Sequence, residues 1–148
     1  MKSENSIENT LKELLDFDKW GIAKKTAHLK NNNVGFKERE IFWVRLGKNI
    51  GSEEFGKGNE FQRPVIIIKK LTKDLFFGIP LTSKIKNGSY FYTFEFKDKK
   101  GKIHKNTAML LQLKSFDKKR LMSRIGTMPK NNFEELIELI RELFIPPF

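Results

Sequence analysis

Arg63 is followed by Pro64 and the aliphatic run Val65-Ile66-Ile67-Ile68. The run predicts a strand, and Pro64 suits its first residue, where a missing N–H is tolerated. A guanidinium at that strand mouth is rigidly mounted and offers paired donors to a phosphate, though a salt bridge at the sheet rim would use it equally well. Ahead of it, Gly47 to Glu60 holds four Gly in fourteen residues, the texture of a mobile loop that closes over a ligand. The Lys-Ser/Thr ending of a phosphate-cradling P-loop is absent. A second cluster is Thr82-Ser83-Lys84-Ile85-Lys86, with hydroxyls beside cations directly after an apolar run. That combination suits an anionic oxygen, and it also suits an ordinary turn. Gln112, a lone amide within Leu110-Leu111-Gln112-Leu113, either satisfies backbone groups or reaches a ligand. His104, in a basic hairpin, and His28 read as incidental.

Composition removes many chemistries. The 148 residues contain no Cys, which excludes disulfides, thiolate zinc, iron–sulfur clusters and Cys nucleophiles. Two His are too few for most His-built metal sites, so neither metal nor cofactor is expected. No apolar run approaches the roughly 20 residues of a membrane helix, and Met1-Lys2-Ser3-Glu4 does not open a signal peptide. The expectation is a cytoplasmic protein with no membrane partner. Hydrophobic residues at 39%, fourteen of them Phe, suffice for a core.

Charge supplies the positive clue. Lys and Arg number 29 against 18 acids, a net +11 that points to a polyanionic partner, most often nucleic acid. Residues 1–38 carry seven Lys and six acids, net +1, and residues 39–148 carry 22 basic and 12 acidic, net +10. Lys97 to Arg124 alone holds ten basic residues against Asp98 and Asp117. That stretch reads as a binding face, with a solvated Lys-rich hairpin as the plain alternative.

These residues need elements to position them. Ile7, Leu11, Leu14 and Leu15 predict a helix, Asp18 to Leu29 a second one anchored by Trp20, and Asn31 to Gly35 a linker. Five or more strands are expected, among them Ile41–Leu46, Val65–Ile68, Leu75–Ile79, Tyr90–Phe96 and Thr107–Leu113, with a hairpin turn at Lys97–Lys102. Strands without long intervening helices imply an antiparallel, partly closed barrel. A short helix near Asp117 to Arg124 follows. An amphipathic helix then carries Phe133, Leu136, Ile137, Ile140, Leu143 and Phe144, capped by Asn131 or Asn132 with Glu134 or Glu135.

In order, Glu40-Ile41-Phe42-Trp43-Val44, Gly51-Ser52-Glu53, Arg63-Pro64, Pro80-Leu81-Thr82-Ser83 and Leu110 to Leu121 resemble the PemK/MazF toxins of type II toxin–antitoxin systems. The likeness covers residues 39–148, leaving 1–38 as a helical extension and linker. It implies an α+β, mainly β fold: an SH3-like, partly closed antiparallel barrel with a C-terminal helix. It also implies a homodimeric endoribonuclease that cuts single-stranded RNA without metal and is inhibited by an acidic antitoxin. On that resemblance Arg63, Thr82 and Glu53 are catalytic. Gln112 lies near the RNA, and Ser83, Lys84, Lys86 and Lys114 are expected to bind it. Glu54 stands where the family commonly has Gln. Two other readings remain open: a non-catalytic SH3-like nucleic-acid-binding module, and an interaction toxin on the related gyrase-poisoning fold.

Overall fold

β-Branched and aromatic residues put most of the segment 40–127 into strands, described together with the rest of residues 2–147 in a computed structural model. The strands are β1 (Glu40–Arg45), β2 (Gln62–Lys70), β3 (Leu75–Thr82), β4 (Phe91–Lys97), β5 (Ile103–Met109), β6 (Lys114–Asp117) and β7 (Leu121–Thr127). Two α-helices flank them, α1 (Lys2–Leu29) and α2 (Lys130–Phe144). Every strand pairing is antiparallel, in the order β4-β5-β3-β2-β1-β7, with β6 added to β3. A bridge between Asp98 and Gly126 brings the two ends of that path together, so the sheet closes in part. Gly126 permits the approach, because a Cβ there would lie 2.6 Å from the Lys97 carbonyl oxygen.

The run Val65 to Ile68 is continuous because β2 is buried on both faces. Ile66 and Ile68 join Ile41, Ile79, Phe94, Phe96 and Leu110 under the α2 residue Leu136. Val65 and Ile67 join Phe36, Phe42, Phe76, Phe116 and Leu121 on the other side. Phe76 stacks on Phe116 at 5.6 Å and meets Phe36 at 5.3 Å, so three of the four Phe in this second core pack ring against ring.

Several local expectations change. The two short N-terminal helices are one 28-residue helix, since no Pro interrupts the chain and Gly21 is tolerated within it. The Asn31–Gly35 linker is packed: Asn32 is buried and donates to the carbonyls of Lys118 and Leu121, each at 3.0 Å. Residues 117–124 form a single turn, Lys118–Arg120, and then β7 in place of a helix. Pro64 is the third residue of β2, opposite Trp43, and Gln112 closes a one-turn helix, Leu110–Gln112. No side chain caps α2; Asn132 and Glu135 bond the Tyr92 hydroxyl instead.

α1 meets the barrel through Trp20. Its ring lies 5.5 Å from Phe61 and below the Arg120 guanidinium. Gly47 faces it with φ +89, and a Cβ there would fall 2.1 Å from Trp20 Cε2. Gly47→Ala should therefore displace the indole and cost about 1–3 kcal/mol through strain and overpacking. A lowered Tm with red-shifted Trp fluorescence is the expected result; an unchanged melt and spectrum would contradict this packing.

Candidate active site

The register of β2 on β3 assembles the site. Val65 pairs with Pro80 and Ile66 with Ile79, and the same register continued sets Arg63 opposite Thr82. Arg63 is buried, with its side chain only 7% exposed. A buried guanidinium is unfavourable unless its donors and charge are satisfied. Nε donates to the Phe55 carbonyl at 2.9 Å, Nη1 to the Leu81 carbonyl at 3.3 Å, and Nη2 lies 2.7 Å from Glu54 Oε1. Burial lowers the guanidinium's affinity for its proton, and the Glu54 carboxylate opposes that shift. Thr82 is also buried, and its hydroxyl accepts the Lys84 N–H at 3.2 Å. The Thr82 proton is therefore available to donate.

Arg63, Thr82 and Ser83 line a cavity of about 430 Å³ with Trp43, His104 and Asn106. His104 is not the incidental turn residue expected from the sequence. It lies on β5, bonded through Nε2 to Asp98 at 2.8 Å and stacked on Phe96 at 5.2 Å. That bond holds the Asp98 carboxyl below its ordinary pKa, helped by the Lys102 and Lys100 N–H groups. Asn106, two residues on along the same strand, is buried. Period-two alternation from His104 was the available sequence signal for both.

A second cavity, of about 200 Å³, is lined by Glu53, Glu54, Gln112, Lys114 and Asn49. The Arg63–Glu54 ion pair connects the two. The partner of Arg63 is thus Glu54, not Glu53, and no expected role pointed to it. Gln112 answers its own open question by binding backbone: Oε1 accepts the Glu54 N–H and Nε2 donates to the Ser52 carbonyl, both at 3.0 Å. Asn49 Nδ2 adds a bond to the Glu54 carbonyl at 2.7 Å. The Gly-rich loop is strapped around Arg63.

Lys84 and Lys86 line neither cavity, and the Lys86 ammonium sits 5.7 Å from the Phe91 ring. Burial lowers the pKa of Lys114, as does nearby Arg120, while Glu53 opposes the shift. Nor is Lys97 to Arg124 one uniform binding face. Lys118 pairs with Asp74, Lys119 bonds the His28 carbonyl, and Arg120 donates to the carbonyls of Arg45 and Leu46. Gln112→Ala should release the loop at Ser52 and Glu54. Faster amide exchange at Glu54, with the barrel strands unchanged, is the expected readout; equal protection would mean that Asn49 and Arg63 hold the loop without Gln112.

Residues 37–144 match the family described as PemK-like, MazF-like toxin of type II toxin-antitoxin system. No curated protein matches the sequence. Among solved structures, the Mycobacterium tuberculosis toxin MazF-mt6 superposes with TM-score 0.54 at 16% identity, covering 74% of this chain and 100% of that one. MazF from Deinococcus radiodurans gives 0.57 at 15% identity over 75% of this chain and 97% of its own. An endoribonuclease in complex with its cognate antitoxin from a mycobacterial species gives 0.58 at 10% identity, covering 77% and 100%. At these identities the likeness concerns the fold alone, and membership rests on the match across residues 37–144: the chain belongs to the PemK-like, MazF-like toxin family of type II toxin–antitoxin systems.

Proposed function

We propose that the protein is a metal-independent endoribonuclease that cleaves single-stranded RNA, acts as a homodimer and is inhibited by an acidic antitoxin. The observation that carries this reading is the buried Arg63 set opposite Thr82 at one cavity wall. A plain nucleic-acid-binding module has no need of a buried guanidinium beside an available hydroxyl proton. The family match supports the toxin role, and a neighbour's description as an endoribonuclease with its antitoxin supports substrate and partner.

In this reading a phosphodiester enters the cavity and takes the place of Glu54 on Arg63. Arg63 then donates to the phosphoryl oxygens as negative charge builds, and Thr82 donates its hydroxyl. The neighbouring 2′-OH attacks phosphorus, its proton passes to a base, and the P–O5′ bond breaks as the leaving 5′-oxygen takes a proton from solvent, giving a 2′,3′-cyclic phosphate and a 5′-OH. Glu54, freed from Arg63 by that displacement, accepts the proton in this reading, where the resemblance implied Glu53 as the catalytic acid. Ser83 on the first cavity and Lys114 on the second contact the RNA backbone, and Lys84 and Lys86, next along the chain from Ser83, contact it outside the cavities. Gln112 contributes by holding the loop.

Cleavage of a single-stranded RNA in EDTA tests the proposal, and duplex RNA should be a poor substrate because its bases stay stacked. Arg63→Ala and Thr82→Ala should each reduce the rate by a factor on the order of 10² to 10³. Glu54→Gln should lose about 10² or more. A folded Arg63→Ala variant with normal turnover would refute the site. If Glu54→Gln stays active and His104→Ala does not, the base is the imidazole. Binding should weaken with salt, and Lys114→Gln should flatten the log–log slope by roughly 0.7. An unaltered slope would remove Lys114 from the phosphate contacts.

A further inference from the structure

α1 carries two faces. Trp20 and Ala27 are buried against the barrel, with Asp16 and Ala23 half-buried beside them. A second stripe consists of Ile7, Leu11, Leu14, Leu15 and Ile22, exposed at 60, 56, 56, 58 and 69%. At about 100° per residue the centres of the two faces lie about 160° apart, so the barrel that holds one face cannot cover the other. Ile22 alone also edges the groove between α1 and the Gly-rich loop. Five large apolar side chains on one helix face signal a missing partner.

The charge pattern says which partner. Residues 2–18 hold two Lys against Glu4, Glu8, Glu13, Asp16 and Asp18, net −3. Residues 19–30 hold Lys19, Lys24, Lys25 and Lys30 and no acid, net +4. A second copy laid antiparallel places each acidic half on a basic half. A parallel copy would stack like on like, including Asp18 and Lys25 on themselves, both of which lie in the stripe at helical spacing. Over residues 2–29 the five Lys and five acids cancel, so α1 offers no net attraction to an acidic partner.

We infer that α1 is a self-association helix, pairing antiparallel with α1 of a second copy through the Ile7–Ile22 stripe. With the two-fold axis between residues 14 and 15, Ile7 faces Ile22, Leu14 faces Leu15 and Glu4 faces Lys25. The contact is isologous and closes at two chains. It is a contact of the extension, separate from any that the barrels make between themselves, and it uses none of the residues at the two cavities.

Introduced cysteines test both contact and direction, because the native chain has none. In the full-length protein, Leu15→Cys lies near the axis and should give a disulfide-linked dimer on mild oxidation. Ile7→Cys alone should not, because its two copies stand about 22 Å apart along the helices. Mixed with Ile22→Cys, it should form the cross-linked pair. Efficient cross-linking of Ile7→Cys alone would establish a parallel pair and overturn the inference, as would absence of cross-links at every position. Leu11→Glu with Leu15→Glu, both at exposed sites, should weaken self-association in sedimentation by about tenfold or more, with circular dichroism unchanged. Unchanged self-association would likewise overturn it.

Discussion

A buried guanidinium organises this molecule. Arg63 sits beneath the Gly-rich loop, and its three nitrogens face two carbonyls and one carboxylate. Removing any of these would leave part of a desolvated cation unsatisfied, which is far less favourable than never burying it. The loop is therefore drawn down over Arg63, and Gln112 and Asn49 fix the segment that delivers Glu54. A carboxylate on a guanidinium resembles the phosphate that the same donors would hold. Glu54 thus holds an anion in the seat that the proposed reaction requires.

The extension and the site share one stem. Gly47 and Phe61, where the loop leaves and rejoins the sheet, both pack on Trp20 of α1. Arg120 lies over the same indole and donates to the carbonyls of Arg45 and Leu46, directly before the loop. Lys48 stands over Phe17 of α1 and Phe55 of the loop at 5.9 and 4.9 Å. Displacement of the helix would disturb the loop that holds Arg63, because no layer separates them. Lys119, bonded to the His28 carbonyl at the end of α1, adds a second cation of the basic stretch to this stitching.

Closure of the sheet depends on small residues at crowded points. Gly126 lets the β4 end meet β7, and the resulting curvature brings His104 and Asn106 on β5 to the cavity of Arg63 and Thr82. A flatter sheet would leave β5 residues remote from β2, with which β5 makes no pairing.

The first four strands, the terminal helix and the candidacy of Arg63 and Thr82 were legible in the sequence; β6, β7 and the true extent of β5 were not. β-Branched runs, 3.6-residue periodicity and a phosphate-suited guanidinium are local properties that one segment displays alone. The family was legible as well, through ordered short motifs that no single segment specifies. Only the tertiary structure decided which acid pairs with Arg63. Glu53 and Glu54 are adjacent and chemically equal, and the choice depends on Gln112, 58 residues away, anchoring the loop in one rotation. It also decided that His104 belongs to the cavity, because sheet curvature is a sum over all strands. The continuity of α1 and the direction of its second face were settled the same way. Helical spacing shows both apolar stripes, but only Trp20 seated on Gly47 shows which one the barrel covers.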